Sequence, residues 1–241
     1  RFLLKGGTYL QHCLNWTGRA TTDIDGIVRG DLTDFITVLD RTLGQPWGSM
    51  SLARTEVEII NAPAKLVKPR RLAILVTLRG QTWRRVPVEF SGDEAGIAGT
   101  PQVLPAPSLG HFGLPTPDRL VGIALKYQIA QKLHAATDPH DPPAHVNDRA
   151  RDIVDLLLLR ELPGPPLHEL RGACRELFAA RAKEATVTGT DPRAWPPTAV
   201  AFAHWRRDYS RAARDAGLDT DLDEAIATLN AWILDIEATT T

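Results

Sequence analysis

Residues 1–25 constrain this chain more than any other stretch. Phe2-Leu3-Leu4 is a short apolar run of the kind a buried strand uses, and Lys5-Gly6-Gly7-Thr8 breaks it with two glycines and a hydroxyl. Tyr9 and Cys13, then Leu10 and Leu14, recur at helical spacing, so the order is strand, tight turn, helix. A helix that opens just after a glycine turn aims backbone N–H groups at whatever occupies the turn, which favours phosphate. Thr21-Thr22-Asp23-Ile24-Asp25 follows as a second strand and finishes in Gly26-Ile27-Val28. A period of two puts Asp23 and Asp25 on one face and buries Ile24 behind them. Two carboxylates on one face, close to a phosphate-cradling turn, suit Mg²⁺ held against a nucleoside triphosphate. Neither piece is specific alone, since Gly-Gly is usually a plain turn and Asp-x-Asp usually a solvated strand edge. Their order and spacing, with Arg19 between them, carry the argument.

The rest of the chain sets limits. At 241 residues and 43% hydrophobic it is globular, as one large domain or two closely packed lobes. Lys and Arg total 28 against 29 Asp and Glu, a net charge of -1, so no bulk attraction to nucleic acid exists and any RNA site is a local basic patch. Cys13 and Cys174 fall on separate predicted helices without metal-ligand spacing, and a reduced, cytoplasmic protein is the simplest account. No apolar stretch approaches membrane-spanning length and no signal peptide is visible. Arg1 falls inside what reads as a strand, so an upstream segment is expected.

Asp31 to Leu43 reads as an amphipathic helix with Asp31 as its cap, closed by Gly44 and Pro46. Strands are expected over Thr55 to Ile60, Arg71 to Leu78 and Val86 to Phe90, with Arg79-Gly80-Gln81 a hairpin turn into Thr82-Trp83-Arg84. Pro87 implies an edge or strand-start position. Residues Gly92 to Pro117 read as a long connecting loop, which separates a mixed lobe over 1–100 from a helical lobe over 117–241. Helices are expected over Asp118 to Ala136, from Asn147 or Asp148 to Glu161, His168 to Glu184, Ala199 to Gly217 and Leu222 to Ala238. In the second of these, Asp152 and Asp155 share a face, and Arg151 and Asp155 are spaced to pair.

Leu4-Lys5-Gly6-Gly7-Thr8, then Gly18-Arg19-Ala20-Thr21-Thr22-Asp23-Ile24-Asp25, resembles the opening of the AbiEii-type nucleotidyltransferase toxins, which include MenT-like members of type IV toxin–antitoxin pairs. Gln128 to Ala135 is similar to the family's lysine helix, and Arg151-Asp152-Ile153-Val154-Asp155 to its Arg-Asp-x-x-Asp helix. The resemblance implies an α+β fold: a DNA polymerase β-like nucleotidyltransferase lobe followed by a helical lobe. It also implies transfer of a nucleoside monophosphate from an NTP to RNA, with a tRNA 3′ end as acceptor, translation blocked, and a separately encoded antitoxin.

On that basis Lys5, Gly6, Gly7 and Thr8 hold the β- and γ-phosphates, and Asp23 and Asp25 hold Mg²⁺. Arg19 steadies the turn or binds a phosphate, Lys132 reaches the phosphates as a flexible charge, and Asp152 orients Lys132 or serves as a base. Glu89 is a candidate third carboxylate or a surface glutamate; alternation sets its face without identifying that face. Asp155 is equally a buried structural partner, Lys126 a surface lysine in contention for the site, and His134 and His145 structural or surface residues. Two other functions stay open: nucleotide transfer to a protein or small molecule, and a non-catalytic binding module. Arg70-Arg71, Arg84-Arg85 and Arg206-Arg207 are basic pairs, two of them next to a Trp, that suit single-stranded RNA.

Overall fold

A computed structural model describes residues 1–14, 21–63 and 65–239 of the chain. The described residues form two compact units, 1–14 with 21–124, and 125–239. The first is a mixed sheet with helices and the second is helical, so the fold is α+β.

The first unit contains β1 (Phe2–Lys5), α1 (Gly6–Cys13), β2 (Ile24–Val28), α2 (Leu32–Leu43), β3 (Met50–Arg54), β4 (Glu58–Ile59), β5 (Arg70–Leu78), β6 (Gln81–Gly92), β7 (Pro101–Pro105) and β8 (Arg119–Ile123). The strands form one sheet in the order β3-β5-β6-β2-β1-β8-β7, with β4 pairing β5. Helix α2 covers one face: Phe35 packs with Val28, Leu72, Val88 and Phe90, and Phe2 and Ile24 lie against the same cluster. Phe35 stacks on Phe2 at 5.6 Å between centroids and meets Phe90 edge-on at 5.3 Å; such pairs add about 0.5–1.5 kcal/mol beyond area burial. The Asp31 carboxylate accepts from the Thr33 and Asp34 amides at 2.7 and 3.0 Å, the cap the sequence implied. On the same side of the sheet, Tyr9 of α1 fills the space over Gly122, where a Cβ would lie 2.3 Å from its ring.

Several sequence expectations are corrected here. Of the expected strand at Thr55 to Ile60 only Glu58–Ile59 is strand, and the longer β3, which the sequence did not suggest, ends before it at Arg54. The expected strand at Val86 to Phe90 and the Thr82 to Arg84 piece are one long strand, β6. Pro87 is tolerated within it because β2 pairs with β6 only from Val88 onward, so at Pro87 that side is still an edge. The Gly92 to Pro117 stretch is not all loop, since it contains β7, and the helix expected from Asp118 starts only at Leu125. Leu120-Val121-Gly122-Ile123 is apolar enough for either structure, and pairing decides it: β8 runs antiparallel to β7 and parallel to β1.

The second unit contains α3 (Leu125–Ala136), α4 (Ala150–Glu161), α5 (Leu167–Thr188), α6 (Arg206–Asp215) and α7 (Leu222–Ala238). Helix α4 packs against α3, α6 and α7, so every residue from Asp152 to Leu157 is buried. A helix surrounded in this way must be apolar nearly all round, and Ile153, Val154, Leu156, Leu157 and Leu159 make it so. It starts later than expected because Asn147 sits outside it. The Asn147 Nδ2 donates to the Asp138 carbonyl at 2.6 Å and its Oδ1 accepts from the Arg149 amide at 3.1 Å. The region expected as one helix from Ala199 is a short 3₁₀ turn at Ala203–Trp205 followed by α6. Glu237 of α7 accepts from Arg171, Arg175 and the Trp195 indole, and the two arginines first of all hold its carboxyl down to about 2. Among the described residues no helix is long and apolar enough to cross a membrane.

Candidate active site

The glycine turn and the acid strand meet closely. Helix α1 starts at Gly6 itself, with Lys5 in extended conformation as its cap, so Gly6, Gly7 and Thr8 form the first helical turn. Gly6 has φ +64°, and a Cβ there would lie 2.3 Å from Oδ2 of Asp25. A Cβ on Gly7 would lie 2.7 Å from the Thr21 hydroxyl oxygen. Close approach therefore requires a glycine at both positions, and backbone conformation requires one at Gly6 as well. The Thr8 hydroxyl donates to the Asp23 backbone oxygen at 2.7 Å, and the Thr21 hydroxyl donates to Asp23 Oδ1 at 2.8 Å. Thr21 thus sets the acid's orientation, which the sequence reading missed. The available signal was a hydroxyl two residues before an Asp, a spacing that favours local side-chain bonding. Arg19 lies outside the described residues.

Strand pairing extends the site sideways. Lys5 pairs with Asp25, Asp25 with Glu89, and Glu89 with Arg71. Directly paired residues point to one side of a sheet, so these four share the face opposite α2. Register therefore decides what alternation could not: Glu89 stands beside Asp25, one strand spacing of about 4.8 Å away. Arg71 donates to Glu58 at 2.8 Å, and its pKa is raised by that bond first and by the Glu89 charge as a smaller addition.

Mg²⁺ is commonly held by one or two carboxylates while substrate phosphates and waters complete its octahedron. Asp23 and Asp25 offer two part-buried carboxylates, the number such an ion needs. The Cβ that Gly6 lacks leaves room for the Asp25 carboxylate, so the donor set fits that ion. Among the described residues no group of three His, Cys, Asp or Glu side chains could hold a metal alone.

In the second unit, Lys132 Nζ donates to Asp152 Oδ1 at 2.6 Å and to Asp155 Oδ2 at 2.7 Å. All three are buried, at 8%, 8% and 2% exposure. Burial alone would lower the lysine pKa, but the two carboxylates outweigh it, and the net direction is upward. The amine is thus kept charged and fixed in direction. Arg149 also approaches Asp152, at 3.9 Å. Lys126 pairs with Glu169 at 3.1 Å, and His145 with Asp138 at 2.9 Å. His134 packs edge-on against Phe178 with Arg193 over its ring nitrogens. Burial, then the Arg193 charge, pushes its pKa down to about 3, so it is a neutral structural residue.

Gly6→Ala is expected to destabilise the first unit by about 1–3 kcal/mol from backbone strain alone. Its methyl must also displace the Asp25 carboxylate, so transferase activity should fall more than stability. Denaturant unfolding set beside initial rates checks both.

The nucleotidyl transferase AbiEii toxin family of type IV toxin–antitoxin systems matches residues 1–230. Among solved structures the chain is similar to MenT4, a nucleotidyltransferase toxin from Mycobacterium tuberculosis H37Rv. The two share 19% identity and a TM-score of 0.53, over 98% of this chain and 82% of that one, a likeness of fold. No curated protein matches the chain in sequence. Matched along nearly its whole length, the chain belongs to the AbiEii nucleotidyltransferase toxin family.

Proposed function

We propose that this chain is an Mg²⁺-dependent toxin of the cytoplasm. It transfers a nucleoside monophosphate from an NTP to RNA, with a tRNA 3′ end as acceptor, blocks translation, and is neutralised by a separately encoded antitoxin. The observation that carries the proposal is the contact of the Asp25 carboxylate with the Gly6 turn. A carboxylate so close to amides at a helix start supports a metal ion and a phosphate bound side by side. In this reading Lys5, Gly6, Gly7 and Thr8 hold the β- and γ-phosphates, while Asp23 and Asp25 hold Mg²⁺. For Arg19 the family resemblance implies either steadying of that turn or a phosphate contact. When bound, the ion neutralises phosphate charge and polarises the phosphoryl oxygens. The protein's own contribution is placement, because phosphoryl-type transfers need an in-line acceptor and little covalent help. The family resemblance implies that Lys132 and Asp152 also serve the reaction, with Asp152 holding the Lys132 ammonium in place.

Incubating the full chain with each α-labelled NTP, Mg²⁺ and total RNA tests the proposal. Label on RNA that disappears with a chelator is the expected result. Label confined to protein, or no transfer with any NTP, overturns it.

A further inference from the structure

The β5–β6 hairpin carries side chains that the reaction above does not use. No Asp or Glu stands between Leu72 and Val88, whereas Arg79, Arg84 and Arg85 do. Among the described residues none of these three arginines is engaged in an ion pair or side-chain hydrogen bond. By contrast, Arg54 on the neighbouring β3 and Arg71 on β5 are bound by Asp40 and Glu58. Leu75 pairs with Arg85, Val76 with Arg84, and then Thr77 with Thr82, so Trp83 is the extra residue of a β-bulge. Trp83 is 65% exposed. Arg79 and Gly80 form the tip, both at positive φ, as a two-residue hairpin turn requires.

Because β2 pairs with β6 only from Val88, residues 81–87 of β6 have no strand on that side among the described residues. Charged side chains and a bulge also guard such an edge against pairing with other chains. An exposed indole works against that purpose, and its presence turns the argument toward binding. A protein partner would need apolar surface around the indole to exclude water; here the exposed neighbours are Gln81, Thr82 and arginines. Unpaired bases stack on an aromatic face while guanidinium groups neutralise the phosphates between them, and a duplex hides those base faces. Arg85 lies on the same side of β6 as Glu89, the neighbour of Asp25, about 13 Å away along the strand. Arg84 alternates to the other side.

We infer that this hairpin is the docking arm for the acceptor: a single strand of RNA stacks on Trp83, contacts Arg79 and Arg85, and runs along β6 toward Asp25. The inference rests on the RNA-acceptor reading above.

Anisotropy of a short fluorescein-labelled single-stranded RNA, titrated with the full chain across a range of KCl concentrations, tests it. Removing two phosphate contacts in Arg79→Ala/Arg85→Ala should flatten the slope of log K against log salt by about 1.4, at about 0.7 per contact for single strands. Trp83→Ala should weaken binding about tenfold and leave the slope unchanged, as loss of one stacked base requires. NTP affinity and thermal unfolding should match wild type in both, since all three residues are exposed. If wild type labels RNA and both variants bind it unchanged, the arm is wrong and the transferase reading stands. A wild-type chain that neither binds nor labels RNA overturns both. Loss of labelling of a protein acceptor in the variants, without RNA binding by wild type, assigns the arm to a protein and overturns the inference.

Discussion

Lys132→Ala should destabilise the helical unit by about 3–5 kcal/mol, because it removes the ammonium that two buried carboxylates share. Asp155 is only 2% exposed, so water offers little replacement for the lost ammonium. An apolar triple variant, Lys132→Met with Asp152→Leu and Asp155→Leu, should recover most of that loss, since buried ion groups are often replaceable by packed hydrophobes. Denaturant unfolding measures both. The triple variant separates structure from chemistry: a refolded protein that no longer transfers nucleotide supports the roles given to Lys132 and Asp152. Unchanged transfer removes both from the reaction.

The same triad has a pH signature. The folded lysine pKa lies above its unfolded value of about 10.4. Its contribution is therefore complete below that value and is lost as pH rises through the higher folded pKa. Above neutral pH, wild type should lose stability relative to the triple variant only at the alkaline end. A difference between them that already changes near neutrality would contradict the assigned charge states.

Asp25→Ala should lower transfer by about 10³-fold, the upper range for removing one group that stabilises transition-state charge. Growth inhibition in cells should vanish with it. Asp25 is part-buried on the sheet face opposite α2, and the cluster around Phe35 does not include it, so the fold should persist. Single-turnover rates with labelled NTP and a thermal melt of the same sample make the comparison. A variant as toxic as wild type would reject the role of Asp25. A variant that melts far below wild type would show instead that the carboxylate mainly supports the turn beneath it.

The sites most legible in the sequence were those written in short, contiguous patterns. Phe2-Leu3-Leu4 and Ile24-Asp25 announced β1 and β2, because side-chain alternation is a local property, but the two glycines open α1 itself and Asp23 falls just before β2. The cap at Asp31 and the closing glycine at Gly44 marked α2 for the same reason. An apolar run that admits two structures is not decided by its own residues. Leu120 to Ile123 fits a helical repeat equally well and becomes a strand only because β1 and β7 lie on either side of it. Pro101–Pro105 was hidden by its terminal prolines, which leave the carbonyls to pair but remove donors.

Local pattern alone determined which residue types stand at the turn, on the acid strand and on the Arg-Asp-x-x-Asp helix, since each is a matter of neighbours along the chain. Tertiary structure decided which of them meet. Glu89 stands next to Asp25 by strand register. One ammonium satisfies both Asp152 and Asp155 by the packing of α3 on α4. Trp83 is freed by a bulge in β6. Each depends on contacts between segments far apart in sequence, whose register is set by how the whole core packs and which no short-range periodicity records.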